Sequence, residues 1–451
     1  MEFKPVCGRD KSRPYGLDTI LIFPLVNRKI LALAIPSIVA NITTPLLGLV
    51  DTAVTGHMGS AVYIAAIAVG GVMFNMLYWL FGFLRGGTSG LSAQAYGAGN
   101  MKDSTLVLYR SLTVAVTVGL LMIILQYPVC ELLVAFLEPD SATAPLSRLY
   151  FRILIWGAPA MLSTYSLSGW FLGMQNSRMI MWTSLIINVV NIAASITLVY
   201  GFGWRIEGVA TGTLIAQWTG VGAGLLFLRR YHLARVSLAD ILLPAQLRRF
   251  FKVNIFVMLR TGCMIAVTLW FTRAGASQGA VILAVNTLLM QLFLLFSYMM
   301  DGFAFAAEAL VGRYVGAHDG ISLRLCINRT FRWGVLLAIL FTAIYFFSGE
   351  AFLRLLSSDA QVIAASGEYW LWAITIPFAG YAGFVWDGVY IGATLTRGLL
   401  VTMLWAMAVF FMVELTLYPL FGNHALWLAF ILYLLTRGVA QYIYFRSHHP
   451  I

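Results

Sequence analysis

A single carboxylate in the first long apolar segment is the residue best suited to coupling chemistry. Asp51 lies in a run that starts near Ile30 and ends near Val54. This run is long enough to cross a bilayer, because about 20 helical residues suffice. A charged side chain at the centre of a spanning helix costs roughly 2.5–3.5 kcal/mol on insertion scales. Since such a residue persists only beside a partner or a wet cavity, Asp51 is a functional candidate.

Other residues of the same segment extend this candidate site. In a helix, Asn41, Thr44 and Asp51 share one face. Pro36 and Pro45 lie in the same segment, and each removes a backbone hydrogen-bond donor and favours a bend. A helix with a titratable group and two bending points is therefore a candidate moving part.

Neutral polar residues recur in the fifth and sixth apolar segments. Asn188, Asn191 and Ser195 share one helical face, and Thr213 and Gln217 follow in the next segment. Together with the first-segment carboxylate they would form a polar patch. The patch could bind a ligand, although Asn, Ser and Thr also serve as interhelical hydrogen-bonding groups in membrane bundles. Both interpretations stay open at this stage.

The second half of the chain carries its own charged residues inside apolar segments. These are Arg260, Asp301, Glu308 and Asp387. A buried arginine requires a carboxylate partner, and Arg260 is expected to pair with Asp301 or Asp387. Such a pair could be purely structural or could contact substrate.

Composition identifies the class of protein. Of 451 residues, 60% are hydrophobic and only 10% are charged, whereas soluble domains carry about 25% charged residues. The chain is therefore expected to be an integral membrane protein. The formal charge of +11 does not indicate nucleic-acid binding, because the basic residues are dispersed between apolar segments. No CxxC or HExxH motif occurs, so neither a metal site nor a cofactor is expected.

The alternation of apolar runs and polar breaks predicts an all-α polytopic protein with twelve transmembrane helices. The predicted spans are 30–54, 61–84, 105–128, 147–173, 180–201, 207–228, 250–272, 280–310, 331–348, 367–392, 398–420 and 425–445. Lys and Arg concentrate in the loops of one side, which predicts that both termini are cytoplasmic.

The polar breaks also suggest a division into parts. The predicted parts are an N-terminal tail (1–28), a first lobe (29–228), a cytoplasmic linker (229–249), a second lobe (250–446) and a C-terminal tail (447–451). The two lobes repeat at one constant offset in the sequence, which places Gly169 opposite Gly388 and Gly173 opposite Gly392. Since each half has six spans, the repeat is parallel, a layout used by secondary transporters. At Asp51 the repeat breaks, because the same offset leads to Trp270.

Several long strings resemble the multidrug and toxic compound extrusion (MATE) transporters. They are Pro36, PLLGLVDTAVTGH at 45–57 and RGGTSGLSAQAYGA at 85–98. DGFA at 301–304 and GNHALWLA at 422–429 resemble the DinF-type branch of that family, named for DNA-damage-inducible protein F. The likeness covers residues 29–446.

This resemblance implies two six-helix lobes around a V-shaped cavity, and drug export in exchange for protons or sodium. It implies that Asp51 receives the cation and that Pro36 lets the first helix bend. In relatives an Asn-x-x-x-Asp pair and a Thr complete the first-lobe cation site, and these positions read Asn191, Ser195 and Thr213 here. Because the second Asp is replaced, proton coupling is favoured over sodium.

We therefore expect an antiporter, not an enzyme, in a bacterial inner membrane. Its expected partners are a small organic substrate, a coupling cation (H⁺, with Na⁺ possible) and the lipid bilayer, and it is expected to act as a monomer. A flippase for lipid-linked precursors, or an organic-anion exporter, is the alternative. Such a protein should place several arginines deep in its cavity to bind anionic groups, and in the sequence only Arg260 clearly qualifies.

Overall fold

The computed structural model describes residues 17–56, 60–356 and 359–448. Within these ranges the chain forms sixteen α-helices and no β-strand. The helices of the first half are α1 (Leu17–Gly56), α2 (Ala61–Leu80), α3 (Phe83–Gly97), α4 (Met101–Ile124), α5 (Gln126–Leu137), α6 (Thr143–Leu154), α7 (Ala158–Gly173), α8 (Ser177–Ile196) and α9 (Ile206–Leu228). The remaining helices are α10 (Leu238–Ile241), α11 (Pro244–Ala276), α12 (Ala280–Gly316), α13 (Gly320–Leu356), α14 (Ala360–Gly392), α15 (Thr396–Phe421) and α16 (Asn423–His448).

Each predicted span coincides with one helix or with two helices in succession. In the described part of the chain, ten helical stretches are long and apolar enough to cross a membrane. The other two predicted spans, 147–173 and 367–392, correspond to α6–α7 and to α14. Helices suit this environment because they satisfy their own backbone hydrogen bonds where water is absent.

The helices extend beyond the apolar runs that predicted them. The second predicted span ends at residue 84, but α3 continues past Arg85 to Gly97. The predicted span stops before Arg85 because a charged residue ends the apolar run. In the structure Arg85 pairs with the carboxylate of Glu308, and α3 continues beyond it. The predicted tail of residues 1–28 also requires correction, because α1 already begins at Leu17 and Val26 is buried in the core.

The two halves repeat the same close helix contacts. A Cβ added at Gly169 would lie 2.2 Å from the carbonyl oxygen of Arg85, and one added at Gly388 would lie 2.1 Å from that of Ala304. The constant offset of the repeat relates these two pairs to each other. In each half, therefore, only glycine lets the backbones of α3 and α7, or of α12 and α14, approach this closely.

A second set of glycine contacts joins the halves to each other. A Cβ at Gly97 of α3 would lie 2.0 Å from the carbonyl oxygen of Arg313, and one at Gly316 of α12 would lie 2.0 Å from that of Gln94. The offset of the repeat relates Gly97 to Gly316 and Gln94 to Arg313, so it converts each contact into the other. Such reciprocity is what a pseudo-two-fold axis between α3 and α12 produces. The fold is thus two pseudo-symmetric lobes that meet at the ends of these helices.

Part of the predicted linker between the lobes is attached to the first lobe by hydrogen bonds. Its short helix α10 is capped by Ser237, whose hydroxyl accepts from the Asp240 backbone N–H at 3.1 Å. Arg110 of α4 donates to the carbonyl oxygens of Asp240 (2.6 Å) and Ile241 (3.0 Å). The hydrogen bond from the Ser237 backbone, followed by the charge of Lys102, lowers the pKa of the Asp240 carboxyl. These contacts attach α10 to the end of α4.

The glycine contacts predict a large difference between two Gly→Ala changes on α14. Gly388→Ala should destabilise the protein by about 1–3 kcal/mol, because the added methyl group meets the Ala304 carbonyl. Gly367→Ala is the matched control, since no heavy atom lies within 4 Å of its Cβ position. Thermal unfolding of both variants in detergent measures the difference. Equal unfolding temperatures would contradict the close contact.

Candidate functional site

Asp387 is the centre of a buried charge cluster in the second lobe. Its Oδ2 accepts from Nη2 of Arg260 on α11 and from Nη2 of Arg437 on α16. Its Oδ1 accepts from Nε2 of Gln441 at 2.7 Å. Of the two partners expected for Arg260, the structure thus shows Asp387. We call Arg260, Asp387, Arg437 and Gln441 the Asp387 cluster.

The Asp387 cluster joins three helices of the second lobe. Arg437 is only 2% exposed, and its guanidinium lies 5.2 Å from the ring centre of Phe384. Removing one partner of a buried ion pair leaves an uncompensated charge, which is strongly destabilising. The cluster therefore holds α11, α14 and α16 together.

Asp301 differs from Asp387 in its surroundings. It is half-buried on α12 and interacts electrostatically with Arg85, Arg260 and Arg437. Among the described residues, no hydrogen bond to its carboxylate is found. Asp301 thus balances part of the positive charge of the Asp387 cluster while its carboxylate keeps its hydrogen-bonding capacity.

Glu308 links the two lobes. It is 1% exposed on α12, and its Oε2 lies 3.7 Å from Nη1 of Arg85 on α3. The guanidinium of Arg85 also lies 3.8 Å from the ring centre of Phe305. This ion pair crosses from α3 of the first lobe to α12 of the second.

A neutral polar site lies between α8 and α9 in the first lobe. Nδ2 of Asn191 donates to Oγ1 of Thr213 at 2.8 Å, and that hydroxyl donates to the carbonyl of Val209 at 3.0 Å. Asn191 and Ser195 are both 0% exposed. Within the described residues, Oδ1 of Asn191 and Oγ of Ser195 have no hydrogen-bond partner. The site therefore offers two buried oxygens.

Side chains of α8 form a ladder of hydrogen bonds to backbone carbonyls of α1. All three rungs join residues separated by 144 or 145 positions, so the two helices run parallel in a constant register. The rungs are Ser177 to the carbonyl of Ala32 (3.4 Å), Ser184 to that of Ala40 (3.4 Å) and Asn188 to that of Thr43 (3.1 Å).

Two residues of the predicted first-lobe patch, Asn41 and Gln217, do not join it. Asn41 donates to the carbonyl of Tyr298 on α12 at 3.4 Å, and so contacts the second lobe. Gln217 packs against Gly157, between α6 and α7. The prediction of a single patch is wrong for these two residues, because helical periodicity gives the face of a helix but not which neighbour covers it. The side chains of Thr44 and Asp51 lie outside the described residues.

Pro36 of α1 has a compensating contact. α1 is helical through Pro36 and Pro45. Pro36 has no N–H to donate to the carbonyl four residues earlier, which belongs to Ala32. That carbonyl accepts instead from the hydroxyl of Ser177. Pro36 is buried, whereas Pro45 is exposed.

Sequence reasoning missed several buried polar residues. The side chain of Arg437 is 2% exposed, against 12% for Arg260, and Arg85, at 26%, pairs with the buried Glu308, so the expectation of one deep arginine is too low. Glu414 on α15, which is 3% exposed, is also absent from the predicted site. The repeat is the signal that could have revealed it, because its constant offset pairs Glu414 with Ser195. In the described part of the chain, no group of three or more His, Cys, Asp or Glu residues could hold a metal ion.

Two pseudo-symmetric lobes of membrane-spanning helices are a layout that transporters use. The family model MatE matches residues 36–197 and 254–415. The chain belongs to the MATE family, whose members are transporters and not enzymes, and to its DinF-type branch.

Three similar proteins illustrate the relationship. The chain is 36% identical to DNA damage-inducible protein F of Escherichia coli (strain K12) over 419 residues, covering 92% of this chain and 91% of the relative. The Vibrio cholerae MATE transporter VcmN in its bent form superposes with a TM-score of 0.85 at 14% identity, covering 94% of this chain and 97% of that one. A MOP superfamily transporter of Pyrococcus furiosus gives a TM-score of 0.82 at 18% identity, covering 94% and 95%.

The Asp387 cluster predicts unequal effects for two Asp→Asn changes. Asp387→Asn should reduce stability by roughly 3–5 kcal/mol, because two buried guanidinium groups lose their shared counter-charge. Asp301→Asn, in the same lobe, should cost clearly less, because its carboxylate is only half-buried and is not hydrogen-bonded within the described residues. Thermal unfolding in detergent separates the two. If Asp387→Asn were as stable as the wild type, the cluster would not hold the lobe together.

Proposed function

We propose that this protein exports drug-like organic molecules across a bacterial inner membrane in exchange for protons. Asp51 of α1 is the coupling carboxylate in this proposal. The proposal is supported by family membership and, above all, by the register of α1 against α8.

The ladder between α1 and α8 indicates what lies level with Asp51. Its rungs join residues 144 or 145 positions apart. Continuing this register along two parallel helices brings position 51 level with residues 195 and 196 of α8. Ser195 therefore lies at the height of Asp51, one turn from Asn191. Position 51 also precedes Val54 and Thr55 by three and four residues, and both are buried.

The oxygens at this level favour a proton as the coupling ion. Hard cations such as sodium prefer several oxygen ligands, carboxylates among them. Near the level of position 51, α8 and α9 supply the neutral oxygens of Asn191, Ser195 and Thr213. A proton needs only one carboxylate whose pKa is raised towards the working pH, and removal from water has that effect.

A coupling mechanism follows from the ladder. A proton on Asp51 would replace an anion by a hydrogen-bond donor at the level of Asn191 Oδ1 and Ser195 Oγ, which have no hydrogen-bond partner among the described residues. The helix would then bend at Pro36, which requires the rungs beyond that residue, from Ser184 and Asn188, to break. A ligand shifts the equilibrium between the straight and the bent form of α1 only if it binds one form more tightly. In this proposal the proton favours the bent form, because protonated Asp51 makes different hydrogen bonds in the two forms.

We further propose the arrangement of the chain in the membrane. Both termini lie in the cytoplasm, because Lys and Arg concentrate in the loops on that side. The first lobe (29–228) carries the coupling site, and the second lobe (250–446) is the rigid counterpart. The protein acts as a monomer, because each lobe supplies a complete set of six spans to the cavity.

A second candidate function is the export of organic anions. The observation that favours it is the presence of three deep arginines, Arg85, Arg260 and Arg437. For the Pyrococcus furiosus transporter, reverse polarity of the binding pocket has been taken to suggest a different function. Here Asp387 and Glu308 already neutralise much of the positive charge, so this candidate ranks second. Comparing the export of cationic and anionic dyes by the same vesicles tests it.

Asp51→Asn should abolish proton-driven dye export while leaving the protein folded. The amide cannot gain or lose a proton, so a pH gradient has no group to act on. Dye flux in sealed vesicles, driven either by a proton gradient or by a sodium gradient with an uncoupler present, measures the effect. Asn41→Asp is a useful comparison, because a carboxylate facing α12 should not restore coupling to the Asp51→Asn protein.

Two results would contradict this proposal. The first is proton-driven export by Asp51→Asn at the wild-type rate, which would remove Asp51 from the coupling role. The second is sodium-driven export by the wild type in the presence of the uncoupler, which would assign sodium as the ion.

A further inference from the structure

A groove between the lobes combines a basic end with an apolar wall. It has a volume of about 1080 Å³ and lies between the α2–α3 junction and α11. One end is lined by Arg248, Arg249 and Lys252, all exposed. None of the ion pairs found among the described residues involves these three cations. The groove thus presents uncompensated positive charge.

The wall of the groove is apolar and aromatic. Phe81 and Phe83 line it from the first lobe, with ring centres 5.8 Å apart. Phe251, Ile255 and Met258 line it from α11 of the second lobe. Phe251 and Ile255 are exposed, at 49% and 41%. Apolar side chains so placed on a membrane-spanning helix suit contact with hydrocarbon.

The two kinds of lining follow each other along one face of α11. Arg248, Lys252 and Ile255 are spaced by four and three residues, so they form one stripe. From Arg248 to Met258 the helix rises about 15 Å. Its apolar part, from Phe251 to Met258, rises about 10 Å, which fits within the roughly 15 Å of hydrocarbon in one leaflet. The groove therefore has the polarity of a single phospholipid molecule, with a basic end for the headgroup and an apolar part for an acyl chain.

We propose that this groove is a binding site for an anionic phospholipid of the leaflet that contains the N-terminal end of α11. The phosphate contacts Arg248, Arg249 and Lys252, and one acyl chain lies along Ile255 and Met258 against Phe83. Basic pockets between spanning helices are known to select anionic headgroups. Because the two walls belong to different lobes, the width of the site changes when the lobes move relative to each other.

Native mass spectrometry of the full-length protein tests the site with dioleoyl-phosphatidylglycerol and dioleoyl-phosphatidylcholine as probes. The wild type should retain phosphatidylglycerol in preference. Near an anionic lipid surface each cation is worth about fivefold in affinity. The Arg248→Gln, Arg249→Gln, Lys252→Gln triple variant should therefore lose about tenfold to a hundredfold in phosphatidylglycerol affinity, with little change for phosphatidylcholine.

The matched control removes the same charge elsewhere on this side of the protein. The control combines Arg229→Gln, Arg230→Gln and Arg235→Gln. These three arginines lie at the other end of the linker and do not line the groove, so the control should keep the phosphatidylglycerol affinity within about twofold of the wild type. A second variant, Ile255→Trp, fills the apolar part while keeping all three cations and should also displace the lipid. Thermal unfolding confirms that each variant is folded.

Each outcome decides the proposal. Equal losses in the groove and control triples would show general surface attraction and overturn it. Unchanged binding in Ile255→Trp would show that no acyl chain enters the groove, and would overturn it as well. Loss of phosphatidylglycerol binding in both groove variants, with binding retained in the control triple, supports the proposed site. These readouts do not depend on transport, so they stand apart from the role of Asp51.

Discussion

The cost of charge in hydrocarbon governs the whole arrangement of this protein. A charged group in a membrane-spanning helix must be neutralised by the chain, by water or by a bound ion. In the second lobe the chain supplies the partner itself, because Asp387 is shared by Arg260 and Arg437 and is completed by Gln441. Arg260, Arg437 and Gln441 each donate a hydrogen bond to the carboxylate of Asp387.

The first lobe has the same helix arrangement as the second but is held together by different interactions. The glycine contacts of α3 with α7 recur between α12 and α14, yet the charges are not repeated. In place of an ion cluster, α1 and α8 are joined by neutral hydrogen bonds of 3.1 to 3.4 Å. A neutral hydrogen bond contributes about 0.5–1.5 kcal/mol, whereas breaking a buried ion pair costs about 3–5 kcal/mol. The first lobe is thus the easier one to rearrange, which is why we assign motion to α1 and rigidity to the second lobe.

The sequence predicted those features that depend on local patterns. Apolar runs indicated the spans, and the constant offset between the halves paired Gly169 with Gly388, which make equivalent backbone contacts in the structure. Pairings between distant helices were harder to predict. Asn41 and Gln217 lie on suitable faces, but their neighbours are set by the packing of α12 and of α6–α7. Hydropathy groups Arg437 with the loop cations, whereas in the structure the carboxylate of Asp387 compensates its buried charge.

The proposed export mechanism depends on coupling between substrate binding and a proton on Asp51. If a proton on Asp51 weakens substrate binding, then by linkage substrate binding must release a proton. The most direct measurement is proton release when a transported dye is added to the purified protein in weakly buffered detergent, followed with a pH indicator. The wild type is expected to release protons, whereas an Asp51→Asn protein that still binds the dye is expected to release none. Equal release by both proteins, or no release by the wild type, would contradict the proposed mechanism.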